Sequence, residues 1–178
     1  TLENIEDGNP VAVYKTGSNW GGFIAITLNN LRVGALSYFF GIFLGVGTFY
    51  ILLNNCIMLG SFQYFFYQRG VFWESVRGIW IHGSMEIFAM IIEAGAGFIL
   101  GASILFPQTF SRLNSFKIGF QNSFKIFLST MPFTFAAGFL EGYITRYSME
   151  MPTYLSVGII LITLSLISFY YLIYPYLK

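Results

Sequence analysis

Charge is scarce in this chain. Of its 178 residues, 10% are Asp, Glu, Lys or Arg, against about 25% in an ordinary soluble domain. Nine basic and eight acidic side chains leave a net charge of +1, so the balance implies no nucleic-acid partner. Cysteine is nearly absent. The single Cys56 can close no internal disulfide and fits no cysteine-based zinc pattern, and it reads as a small buried apolar residue. With one histidine in the chain, the two-histidine HExxH zinc helix is excluded, and no Ser/His/Asp triad, P-loop or dinucleotide fingerprint is evident. The opening seventeen residues lack a basic stretch followed by an apolar run, so no signal peptide is read there. A start at Thr1 is what an ordered or processed part of a longer protein would give.

What is abundant is apolar surface. Apolar residues make up 56% of the chain, with 21 Phe and 12 Tyr, and the mean hydropathy is +0.66. A 20.2 kDa globule cannot hide that many aromatics, because small domains leave much of their surface exposed. A soluble enzyme and a disordered chain are therefore excluded as well. The composition predicts an all-α, polytopic transmembrane helical bundle.

Hydropathy along the chain divides it into a polar lead-in, 1–33, and a bundle, 34–178. The lead-in begins acidic (Glu3, Glu6, Asp7) and continues through Trp20 to Asn29, Asn30 and Arg32. It reads as too polar to span and is expected to be interfacial or re-entrant. About four spans follow, near 34–67, 79–106, 126–145 and 154–174. The first carries no charge and is longer than the ~20 residues a bilayer needs, so a break is expected at Asn54-Asn55. Residues 107–125 contain Arg112, Lys117 and Lys125 and no acid, with Leu113, Phe116, Phe120 and Phe124 at helical spacing. That pattern predicts a separate basic amphipathic helix lying on the lipid surface.

Lipid tails are as apolar as leucine, so spans associate through close backbone approach and hydrogen bonds. Three spans carry GxxxG: Gly41 and Gly45, Gly97 and Gly101, Gly138 and Gly142. Each coincides with the polar stripe of its helix at 100° per residue. These glycines are expected to pack helices within one chain, with a homo-oligomer as their alternative use.

An ionisable side chain near mid-bilayer costs at least about 2.5 kcal/mol, so those inside spans need a reason. The candidates are His82, Glu86 and Glu93 on the second span and Glu141 on the third, with Asn54 and Asn55 on the first. Helical spacing and depth bring His82, Glu86, Glu141 and the Asn pair toward one level, the outer third, with Glu93 near mid-depth. Three readings stay open. The group is structural, with His82 bonded to a glutamate; or it relays ions or small molecules; or His82, Glu86 and Glu141 ligate a metal in a hydrolase. No cofactor is expected, and a metal only under the third reading.

The motifs are also familiar. Asn29, Asn30, Arg32 and Val33 form an Asn-Asn-x-Arg-Val run. His82, Gly83 and Glu86 form His-Gly-x-x-Glu, the stretch Ala94 to Gly101 is glycine-rich ahead of Pro107, and Glu141 to Thr145 reads Glu-Gly-x-Ile-Thr. In order and spacing, over roughly residues 25–150, the chain resembles the stage II sporulation protein M family of bacterial integral membrane proteins. It departs from the family pattern at Ile81, where Pro usually precedes His-Gly, and at Asn55, where Gly is usual. The resemblance implies a multi-pass protein of the bacterial cytoplasmic membrane, without catalysis of its own, that anchors or organises cell-wall-remodelling partners. Expected partners are the lipid bilayer and other membrane or envelope proteins. Lys/Arg counting over four spans puts Lys15, Arg32, Arg112, Lys117, Lys125 and Lys178 on one side, against Arg69, Arg77 and Arg146, which predicts cytoplasmic termini at both ends.

Overall fold

The computed structural model describes residues 18–177. The expectations for residues 1–17, and for Lys15 and Lys178, lie outside the described residues. Within them the fold is all-α, with no strand, and five helices have the length and apolarity to cross a bilayer.

Helix α1 (Asn19–Phe39) starts where Ser18, in extended conformation, accepts a hydrogen bond at Oγ from the Gly21 amide at 3.0 Å, satisfying one of the orphan N–H groups of a helix start. After a 3-10 turn at Phe40–Ile42 the chain reverses through Leu44 (φ 57°) and Gly45 (φ 82°). Two consecutive left-handed residues cannot continue a right-handed helix, and α2 (Val46–Gln68) leaves in the opposite direction. A second left-handed glycine, Gly70 (φ 73°), stands between α2 and α3 (Phe72–Leu105). At 34 residues α3 is about 50 Å long, beyond the roughly 30 Å of a hydrocarbon core. Helix α4 (Arg112–Phe139), capped by Ser111, runs on through a π turn (Leu140–Ile144) and a 3-10 turn (Thr145–Tyr147). Helix α5 (Thr153–Ser168) follows Pro152 and continues through a π turn (Phe169–Ile173) to Leu177.

Helix α3 is the axis of the bundle. Hydroxyl bonds mark its antiparallel register with α4. Ser115 Oγ donates to the Ser103 carbonyl at 2.6 Å, Thr130 Oγ1 to Glu93 Oε1 at 2.8 Å, and His82 Nδ1 meets Thr145 Oγ1 at 2.9 Å. Helix α5 runs parallel to α3, with Arg77 Nη1 donating to Thr153 Oγ1 at 2.9 Å and Ser84 meeting Thr163 at 2.7 Å. Helix α1 is antiparallel to α4, tied by Tyr38 Oη and Ser123 Oγ at 3.0 Å. Tyr38 also stacks on Phe127 (centroids 4.8 Å apart) in an aromatic core with Leu100. Helix α2 is peripheral: Thr48 and Phe66, near its two ends, are its buried residues.

Glycines set the closest approaches. A Cβ on Gly41 would collide with the Gly97 carbonyl, and one on Gly101 would lie 2.5 Å from the Gly45 nitrogen. Gly138 admits Thr27 of α1, and Gly142 admits Phe23. All six therefore lie at contacts within one chain, and Gly45 also supplies the left-handed turn.

Several expectations are corrected. The region 34–67 is not one span, and its break is at Phe43–Gly45. Asn54 and Asn55 lie inside α2 and end no helix. Residues 19–33 are not an interfacial lead-in but the larger part of the 21-residue α1, a helix of spanning length. The gap expected between the spans near 34–67 and 79–106 shrinks to Arg69–Val71. The basic stretch 107–125 is no separate surface helix: from Arg112 it is the start of α4, with Ser115, Gly119 and Ser123 buried against the bundle. Cys56 is exposed rather than buried. Ser18 and Leu177 lie at opposite ends of the bundle, so crossing by all five helices would put them on opposite sides, where four spans predict a shared one. Among the described residues the charge asymmetry disappears too. Arg69, Arg77 and Arg146 gather at one end, Arg112, Lys117 and Lys125 toward the other, and Arg32 lies partway along α1.

Candidate functional site

Helical spacing puts His82 and Glu86 one turn apart on α3, facing the end of α4. There the π turn at Leu140–Ile144 inserts an extra residue into the helix, a feature frequent at functional sites, and Glu141 lies within it. One side-chain ligand atom from each of His82, Glu86 and Glu141 lies within 4.8 Å of the others. His82 is buried, and its ring is held at Nδ1 by Thr145 Oγ1 at 2.9 Å, while Nε2 lies 3.7 Å from Glu141 Oε2.

Helix α1 closes the site. Asn30 borders both cavities beside Glu86, and its buried Nδ2 has no hydrogen-bond partner among the described residues. One turn on, Gly34 lacks the Cβ that would collide with the Glu93 carboxyl group. Glu93 is 3% exposed and accepts the hydrogen bond from Thr130. Seven residues, about 10 Å of helix, separate it from Glu86. Glu86 lies close enough to interact electrostatically with both Glu93 and Glu141. The carboxylates thus form one string along α3 and α4 and straddle the middle of α3.

Two adjoining cavities run along that string between α1, α2 and α3. One, of about 440 Å³, is bordered by His82, Glu86 and Glu141. The other, of about 320 Å³, is bordered by Glu86, Glu93 and Asn55. Asn29, Asn30, Met58 and Leu59 border both.

The structure brings His82, Glu86, Glu141, Glu93 and Asn55 to this interior and leaves Asn54 out. Adjacent residues on a helix point about 100° apart, so only one of the pair can face inward. Asn54 is exposed, its Nδ2 donating to the Tyr50 carbonyl at 2.8 Å. Asn55 donates to the Ile51 carbonyl at 2.8 Å and faces the smaller cavity. Arg112, Lys117 and Lys125 are all exposed on α4. Asn29 and Asn30 were missed as site residues because two amides and an arginine made their stretch look like a boundary. The usable signal was the four-residue step from Asn30 to Gly34, which puts an amide and a contact glycine on one face.

These features define a multi-pass, all-helical membrane protein with a hydrophilic string buried along its central helix. Within that class the chain belongs to the stage II sporulation protein M family: the family's model matches residues 2–146. The match takes in α1 to α4 and every residue of the string, and it ends before α5. No curated protein and no solved structure matches the chain.

Proposed function

We propose that this protein is a non-enzymatic assembly protein of the bacterial cytoplasmic membrane, which organises other envelope proteins through the outward faces of α1 and α2. The observation that carries this reading is Arg32. It is exposed on α1, roughly 20 Å from the start of the helix, on the same side as the exposed Ile24 and Leu28. Among the described residues it makes no ion pair. A guanidinium facing hydrocarbon at that depth is costly and is normally paired. An acidic side chain on the transmembrane helix of another protein would pair it. Asn54 adds a second outward polar group on α2, of the kind that joins helices in lipid.

A photo-crosslinking residue introduced at Leu28 or Asn54, in native membranes, tests the proposal. The expected product is a defined adduct with another membrane protein, abolished by Arg32→Leu. Adducts with lipid alone, or adducts unchanged by Arg32→Leu, would overturn it.

A second reading, cation transport, is favoured by one observation: Glu86 borders both of two adjoining cavities, of which one is also bordered by Glu141 and the other by Glu93. Flux in proteoliposomes that disappears in Glu93→Gln would support transport over assembly. Absence of flux for protons and for mono- and divalent cations would remove it.

A further inference from the structure

We propose that His82, Glu86 and Glu141 form a divalent-metal site for Zn²⁺ or Mn²⁺, with water from the adjoining cavity completing the coordination shell. Binding is proposed here, not metal-dependent chemistry, and it does not depend on the assembly reading.

The first argument is spacing. The three candidate ligand atoms lie within 4.8 Å of one another. Nitrogen and oxygen ligands sit about 2.0–2.2 Å from zinc, so two ligands across one ion are separated by up to roughly 4 Å. Small rotations of two glutamate side chains close that difference. The 3.7 Å between His82 Nε2 and Glu141 Oε2 is too long for a good hydrogen bond, yet it suits two atoms sharing an ion.

The second argument is support. A ligating histidine nearly always has its other ring nitrogen held by a polar group that fixes its orientation. Thr145 Oγ1 does this at Nδ1, at 2.9 Å, which aims Nε2 at the two carboxylates. Thr145 and Glu141 lie one turn apart across the π turn, so one backbone irregularity positions both a ligand and the residue that orients the other ligand.

The third argument is charge. Glu86 and Glu141 are neighbours in a bundle interior, with the His82 ring 3.7 Å from the Glu141 carboxyl group. A neutral imidazole with two carboxylates carries charge −2, which a single dication cancels. Ligand type agrees: imidazole with carboxylate suits zinc and manganese, whereas a thiolate set would favour softer ions. The cavity of about 440 Å³ beside the three residues, edged by Asn29 and Asn30, has room and polar partners for water ligands.

The test uses the full chain, purified in detergent, stripped with chelator and titrated with Zn²⁺ or Mn²⁺ alone. One ion per chain is expected, together with a raised melting midpoint. Affinity should fall at least tenfold in His82→Ala and in Glu141→Gln, and by about 10–100-fold in Thr145→Val, as for other losses of an orienting partner. Glu74→Gln, which removes a carboxylate from the first turn of α3, two turns before His82, should bind as the parent does. Because a ligand variant can fail to fold, Co²⁺ is added to the unaltered protein as well. Visible absorption bands of four- or five-coordinate cobalt, displaced by one equivalent of Zn²⁺, are expected. Sub-stoichiometric metal, six-coordinate cobalt spectra alone, or equal binding by the folded His82→Ala protein would overturn the site.

Discussion

Thr48 Oγ1 donates a 2.7 Å hydrogen bond to the Ser37 carbonyl across the corner between α1 and α2. Both residues are fully buried, and the corner is made by Leu44 and Gly45 in left-handed conformation. The same hydroxyl fills the space beside Gly97, where a Cβ would lie 2.5 Å from it. One side chain therefore holds the first reversal of the chain against the central helix. Thr48→Val keeps the shape and removes the donor. Hydrogen bonds between helices in membranes are worth about 0.6 kcal/mol on average, up to about 1.7, so a loss within that range is expected. It is read as a lower midpoint in detergent unfolding, and Thr48→Ser should restore most of it.

The glycines separate into two groups by what surrounds them. A Cβ at Gly41 or Gly97 would strike the backbone of the opposite helix, whereas one at Gly60, Gly95 or Gly158 would meet nothing within 4 Å. Gly41→Ala and Gly97→Ala should each destabilise by about 1–3 kcal/mol, the usual cost of overpacking. Gly95→Ala and Gly158→Ala should be neutral or slightly stabilising, since alanine is the better helix former. Melting midpoints of the four variants in the same detergent decide this. Equal losses in both groups would mean that the close approaches are not what holds the helices.

Gly34 and Glu93 should show energetic coupling. The Glu93 carboxyl group occupies the space where a Cβ on residue 34 would go, and its own anchor is the 2.8 Å bond from Thr130. Gly34→Ala is expected to be destabilising in the parent and much less so with Glu93→Ala already present. Residues in direct contact give interaction energies of about 0.5–3 kcal/mol in such cycles. Additive losses would place the carboxyl group elsewhere.

The membrane class and the polar stripes were legible because both are periodic. An apolar run without charge reads as a span, and His82, Glu86, Glu93 and Gly97 share a face whatever the rest of the chain does. The reversal at Phe43–Gly45 was not legible, because it sits inside an unbroken apolar run. Its glycines serve packing and turning at once, and its one strained side chain, Leu44, looks like any other leucine. Asn29, Asn30 and Arg32 failed in the opposite way: polarity that borders a cavity, or lies exposed partway along α1, was read as the end of the membrane. The π turn that holds Glu141 leaves no mark in the sequence, since it depends on how α4 meets α3 and α1. Arg112 to Lys125 has the pattern of a surface helix, and only the burial of Ser115, Gly119 and Ser123 shows that the opposite face belongs to the bundle.

The sidedness of the bundle is the last testable consequence. Arg146 is buried and donates to Asn19, and Arg77 is engaged with Thr153. Arg112, Lys117 and Lys125 are exposed and can reach lipid headgroups. Anionic lipids of the cytoplasmic leaflet attract each such cation by about 1 kcal/mol, which favours the Arg112 end inside. Cys56, exposed on α2, is first replaced by alanine, and single cysteines are introduced as Ser18→Cys and Tyr176→Cys. An impermeant thiol reagent applied to intact cells should label the first, while the second should react only after the membrane is opened. Labelling of both from the same side would reduce the crossings to an even number and withdraw α1 from the membrane. The reverse pattern would keep five crossings and turn the molecule over.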